Sequence, residues 1–166
     1  MPERRYRSQS EKTALDRILT RVAYSRLGGL LFITVFPAID KRLMPLTRGR
    51  VKIAVRQTVL LLHGRGAKTG QPRVTPLLYT PRGEDFILVA SKAGVDHHPA
   101  WYHNLKAHPD VEVEVDGERI AVTAREATGA ERDDLWRLVN DNYVGYEVYQ
   151  QRAGGRQIPV MVLSPR

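Results

Sequence analysis

The chain has 166 residues, enough for one domain with room for an appended segment, and its 42% hydrophobic share supports a globular core and excludes wholesale disorder. It contains no cysteine, which excludes disulfides and thiolate metal sites and fits a reducing cytoplasm. The net charge of +8 is unevenly placed: residues 1–56 carry 13 Lys and Arg against 4 Asp and Glu, whereas residues 57–166 carry 13 against 14.

Residues 1–12 are polar, show no apolar period and read as frayed. From Thr13 to Leu27, Leu15, Ile18, Leu19, Val22 and Ala23 recur at helical spacing opposite Arg17, Arg21 and Arg26, until Gly28-Gly29 breaks the pattern. A second short helix is expected over 30–36, interrupted by Pro37 and followed by the basic linker 40–50. The longest apolar stretch, 27–39, is shorter than the roughly 20 residues that cross a bilayer. It also starts too far from Met1 for a secretory signal. A basic arm beside an apolar stretch suits an anionic membrane surface, reached through residues 1–45; a solvated, solubilising arm is the plainer alternative. The expected location is the cytoplasm, peripheral on the inner face of the cell membrane if the arm binds lipid.

After Arg56 the texture changes to β-branched and aromatic runs bounded by Gly and Pro. Strands are expected at 58–63, 73–80, 85–91, 111–116, 118–127 and 157–163, with Asp116-Gly117 as a hairpin turn between two of them. Helical patterns fall at 98–107, 130–141 and 143–151. Hairpin-linked strands with few helices predict a mainly antiparallel β-sheet or small barrel with peripheral helices, and not alternating βαβ units. The domains expected are a basic helical arm, 1–50, and a β domain, 51–166.

Three segments carry chemistry. The connection Gly64-Arg65-Gly66-Ala67-Lys68-Thr69-Gly70-Gln71-Pro72-Arg73 holds three cations and several free amides at a strand end, as an anionic ligand requires, although standing alone such a turn is more often a solvated hairpin tip. It has neither Walker nor dinucleotide spacing. Ser91-Lys92-Ala93-Gly94 places another cation and another flexible turn at a strand end, followed by a Pro99-initiated helix. Tyr143, Tyr146 and Tyr149, three residues apart, line one side of a short helix and are either core or a cavity wall. His97, His98, His103 and His108 fit no usual zinc spacing, so no metal site is expected, and no Gly-x-Ser-x-Gly elbow suggests a hydrolase.

The runs Gly66–Val74, Ala90–Gly94, Pro99–Pro109, Thr123–Glu126 and Gln157–Leu163 resemble the deazaflavin (coenzyme F420)-dependent nitroreductase and quinone reductase family of actinobacteria, in fixed order over about residues 50–165. The resemblance implies a split β-barrel and an oxidoreductase transferring a hydride from reduced coenzyme F420 to a quinone, nitro compound or activated enone. By that resemblance Arg65, Lys68, Thr69, Arg73, Pro76, Ala90, Ser91, Lys92, Ala93, Gly94 and Trp101 contact the cofactor. Lys68 and Arg73 take positions for its acidic tail, while Ala67 departs from the family's basic pair and leaves Arg65 to compensate. Trp101 reads equally as a core anchor. Tyr143, Tyr146, Tyr149 and more weakly Tyr79 would line the acceptor cavity, with Tyr143 or Tyr146 hydrogen-bonding the developing negative charge and Ser91 or water supplying the proton.

An FMN-dependent oxidoreductase on the same barrel and a non-catalytic carrier of deazaflavin or lipid are the alternatives. Nucleic-acid binding is not expected, because no aromatics interleave the basic arm. The sequence leaves the oligomeric state open.

Overall fold

The computed structural model describes residues 58–166. The expected arm, its two helices, the basic linker and the membrane-facing segment lie outside the described residues.

Six strands close into a barrel: β1 Val59–Arg65, β2 Pro72–Arg82, β3 Asp85–Val89, β4 Asp110–Val115, β5 Glu118–Glu126 and β6 Val160–Pro165. Their order around the barrel is β1-β2-β3-β6-β5-β4, every neighbouring pair is antiparallel, and β4 seals against β1 by pairing Leu61 with Glu114, Leu62 with Val113 and His63 with Glu112. Closure leaves no edge to aggregate. Among the described residues three α-helices accompany it: α1 Ala100–Ala107, α2 Gly129–Asn142 and α3 Gly145–Arg152.

Strand composition follows from which faces are covered. In β4 the sequence alternates, with Val111, Val113 and Val115 buried and Asp110 and Glu112 exposed. In β3 and β6 the run is continuously apolar because both faces are covered. Phe86, Leu88, Met161 and Leu163 fill the barrel with Leu60, Leu62, Val113 and Val122. Ile87, Val89, Val160 and Val162 face outward onto Leu135, Val139 and Tyr143, Tyr146 and Tyr149. Truncating a fully buried leucine such as Leu60 to alanine would cost about 2–5 kcal/mol.

The antiparallel alternation divides the barrel's ends sharply. Among the connections of the described residues, one end carries the tight turns Gly83-Glu84 and Asp116-Gly117, the latter left-handed at both residues (φ 53° and 86°), as its sequence predicts. The connections between β1 and β2, β3 and β4, and β5 and β6 all emerge at the other end, with every helix among the described residues. The segments singled out by their chemistry therefore share one end of the barrel.

Several boundaries differ from the expectation: β2 runs on to Arg82, β3 stops at Val89, and the helix expected from 143 starts at Gly145. β1 runs on to Arg65 and β2 starts at Pro72, so only residues 66–71 form the connection. β6 begins at Val160 and not 157, because Pro159 has no N–H to give a ladder and the Ile158 N–H is taken by the Gln150 side chain at 2.9 Å.

Candidate functional site

Arg65 and Arg73 are strand residues flanking the basic turn, with Arg65 paired to Pro72 and Arg73 to Gly64. The turn closes through Gly66 N–H donating to the Gln71 carbonyl at 2.9 Å and Gly70 N–H to the Gly66 carbonyl at 2.8 Å. Thr69 folds back over it, its Oγ1 accepting the Gln71 N–H at 3.4 Å, and a Cβ on residue 66 would come within 2.6 Å of that oxygen. Lys68 is exposed at the tip. A groove at the barrel mouth is lined by Arg65, Arg73, Thr75, Trp101 and Asn104 over a floor of Leu62, Gly64 and Leu105. Pro76 is not in it: it follows Thr75 on the opposite face of β2 and pairs with Leu61.

Charge pairing separates these cations from most of the others, although Lys92, bonded to His97, and Arg156, bonded to carbonyls and His98, likewise meet no carboxylate among the described residues. Arg82, Arg119, Arg125, Arg137 and Lys106 each meet a carboxylate within 3.5 Å. Among the described residues, Arg65, Lys68 and Arg73 meet none. Three unneutralised cations beside a groove can take an anionic ligand without first breaking an ion pair.

The second segment continues from β3. Ala90 and Ser91 are buried, and Lys92, Ala93 and Gly94 are all left-handed, with φ of 45°, 55° and 80°. Such a run turns the chain sharply and presents small side chains and backbone. It also packs hard on α3: a Cβ at Gly94 would lie 2.5 Å from the Tyr149 carbonyl oxygen and 2.9 Å from Arg152 Cβ. Lys92 Nζ hydrogen-bonds His97 Nε2, and His97 Nδ1 meets Asp96 at 2.8 Å, which holds the Asp96 carboxyl below the usual carboxylate range.

Trp101 is buried in the barrel's core cluster while edging the groove, so the core-anchor and ligand readings coincide on one ring. Helix α1 is held across the barrel end by Glu126, which accepts the Tyr102 hydroxyl at 2.9 Å and the Lys106 ammonium at 3.1 Å. Burial, reinforced by this carboxylate, pushes the Tyr102 phenol up to about 12.

Tyr143, Tyr146 and Tyr149 come together, with ring centroids 5.0–6.4 Å apart and the Tyr143 and Tyr149 hydroxyls 3.1 Å from each other, but not along one helix as expected: Tyr143 is extended backbone between α2 and α3, and only Tyr146 and Tyr149 lie on α3. They are buried in the layer between the barrel and its helices. Tyr79 is not with them; it points into the barrel against Phe86, centroids 5.4 Å apart.

Three contributors have no sequence signal of their own. Asn104 Oδ1 accepts the Ala67 N–H at 2.9 Å. Arg156 enters the Ser91–Val95 loop, donating to three carbonyls and to His98 Nδ1. Gln150 fixes the turn that carries Arg156. Each acts across at least six residues of sequence, beyond the reach of local periodicity.

Residues 40–165 match the family model described as F420H(2)-dependent quinone reductase. An F420H(2)-dependent quinone reductase of Mycobacterium tuberculosis is 46% identical over 125 residues, 72% of this chain and 83% of its own length. Among solved structures, an F420-H2 dependent reductase (FDR-A) superposes with a TM-score of 0.59 at 37% identity, over 64% of this chain and 94% of that chain. A chain described as a domain-swapped dimer gives 0.62 at 33% identity, over 76% of this chain and 95% of its own. Motif order, barrel topology and these matches agree, and the chain belongs to the F420H(2)-dependent quinone reductase family, as an oxidoreductase whose cofactor is coenzyme F420.

Proposed function

We propose that the helix-bearing end of the barrel is where reduced coenzyme F420 meets its quinone acceptor. The observation that carries this siting is the trio Arg65, Lys68 and Arg73, unpaired among the described residues, beside a groove and next to the small-residue loop Ala90–Gly94. The residues fit the group: its tail is acidic and its ring flat, and the chain offers cations at the groove and a compact left-handed turn near it. When bound, the deazaflavin supplies the hydride.

The chain's own residues supply position. Arg73, whose guanidinium can grip an oxyanion with two parallel bonds, and Lys68 would hold the tail, with Arg65 and Thr69 beside them. Ser91, Lys92, Ala93 and Gly94 would bring backbone close to the ring, against Trp101. Helix α3 and Tyr143 would form the acceptor wall, where a phenol can stabilise charge developing on a quinone oxygen. In that reading the tyrosines, buried between barrel and helices, must turn outward or be reached through the layer they close.

The test mixes purified full-length protein with reduced coenzyme F420 and menadione and follows the return of oxidised-coenzyme absorbance. Turnover is expected. Absence of turnover with quinones, nitroaromatics and enones alike would overturn the reading, and binding without turnover would support a carrier.

Membrane association of residues 1–45 is a separate part of the proposal, supported by their excess of positive charge beside Leu30–Phe36. Its purpose would be access to a lipid-soluble quinone. No helix among the described residues is long and apolar enough to cross a membrane. Co-sedimentation with anionic liposomes should fall when residues 1–45 are deleted; unchanged partitioning would reject the idea.

A further inference from the structure

The loop after β3 holds an improbable backbone shape. Three consecutive left-handed residues, two of them bearing side chains, are strained and persist only where their surroundings impose them. Within the loop only two backbone bonds close it: Gly94 N–H to the Ser91 carbonyl at 3.0 Å, and Val95 N–H to the Lys92 carbonyl at 3.3 Å.

Three carbonyls in and flanking the loop, those of Ala90, Ser91 and Val95, converge on one side chain. Arg156 donates through Nη2 to Ser91 at 3.1 Å and to Val95 at 2.9 Å, through Nε to Val95 at 3.3 Å and through Nη1 to Ala90 at 3.4 Å. Nη1 also meets His98 Nδ1 at 2.9 Å, so that imidazole nitrogen must be the unprotonated acceptor. The guanidinium thus spans the loop from its first residue to the approach of α1. It is itself held: Gln150 of α3 donates to the Arg156 carbonyl at 2.7 Å and accepts the Ile158 N–H at 2.9 Å, across a turn whose glycines 154 and 155 have φ of 64° and 86°. Arg156 is partly buried and meets no carboxylate among the described residues, unlike a surface arginine recruited for solubility.

We infer that Arg156 is a positioning residue that moulds Ser91–Val95 into its left-handed shape and locks it to the tyrosine-bearing helix α3, so that both walls of the coenzyme site move as one body. This rests on the siting of coenzyme F420 proposed above. Arg156 is not assigned a contact with the coenzyme or the acceptor. Lysine cannot substitute: an ammonium on a flexible stem keeps the charge but cannot reach four acceptors from one plane.

The test uses full-length wild type, Arg156→Lys and Arg156→Gln. Hydrogen exchange without coenzyme reads the loop: the Gly94 and Val95 amides should exchange at least about tenfold faster in both variants, while β1 and β4 amides keep their wild-type protection. Titration with oxidised coenzyme F420 reads the consequence: Kd should rise about ten- to a hundredfold, because the coenzyme then binds only the fraction of molecules whose loop is formed. Unchanged loop exchange, or unchanged Kd with a loosened loop, would overturn the inference. Global loss of protection in both variants would also overturn it, by making Arg156 a general stability residue. Should wild type itself fail to bind the coenzyme, the siting falls, and exchange alone then decides whether Arg156 moulds the loop.

Discussion

The side-chain oxygen of Asn104 accepts the backbone N–H of Ala67 at 2.9 Å, and this bond fastens the basic turn between β1 and β2 to helix α1 across the barrel mouth. Both segments edge the groove, so the bond sets their spacing. Asn104→Ala should raise the Kd for coenzyme F420 about fivefold, the worth of one ordinary hydrogen bond, with little change in melting temperature because the bond is exposed. Fluorescence titration with thermal denaturation checks this; a large loss of stability with unchanged Kd would assign the bond to the fold alone.

Arg73 and Lys68 carry the same charge in different settings. Arg73 lines the groove from a strand, whereas Lys68 sits on an exposed tip. Arg73→Ala should weaken coenzyme binding about ten- to a hundredfold, and Arg73→Lys should recover part of that. Lys68→Ala should cost only a few fold, an effect that shrinks as salt is added because exposed charges are screened. Neither should reorder a panel of quinone acceptors. Tyr143→Phe should do the converse, shifting acceptor kcat/KM with coenzyme Kd kept.

Gly94 and Gly70 both adopt positive φ but differ in surroundings. A Cβ added at Gly70 would meet nothing within 4 Å, whereas at Gly94 the Tyr149 carbonyl would be 2.5 Å away. Gly70→Ala should therefore cost only the conformational strain, about 1 kcal/mol. Gly94→Ala adds a clash with backbone and should cost about 2–4 kcal/mol, a difference visible in paired urea melts. Equal costs would mean that α3 can yield to the loop.

Stability should also depend on pH through His98. Burial first, then the nearby positive charges of Arg156 and His103, depress its pKa from 6.5, with Glu126 opposing. Because the folded value lies below the unfolded one, the stability is fully present above about pH 6.5 and is lost as pH falls toward the folded value. Protonation would also remove the acceptor facing Arg156 Nη1. Melting temperatures of wild type and His98→Leu compared from pH 7.5 to 5 should converge at the acid end; parallel curves would exclude His98 as the titrating group. Asp96, held down by His97, titrates only at more acid pH.

Strand positions were legible because each β residue's burial follows from period two or from continuous apolarity, as in β4 against β3 and β6. Asp116-Gly117 was legible because its dihedral demand admits few residue types. The basic turn, the Ser91–Gly94 loop and the tyrosine trio were legible as composition, and their family order identified the fold. Pro76 and Tyr79 were less so: strand parity sends Pro76 to the face opposite Arg73 and Tyr79 into the barrel, away from the sites their motifs suggested.

The sequence by itself determined the barrel's elements, the family and the cofactor, since these rest on local patterning and motif order. Only the tertiary structure decided that the β1–β2, β3–β4 and β5–β6 connections share one end, that Arg65, Lys68 and Arg73 there have no acidic partner among the described residues, and that Arg156 reaches Ser91 across 65 residues. These follow from strand direction and barrel closure, which bring distant residues within hydrogen-bond range, and no periodicity along the chain encodes a contact at that separation.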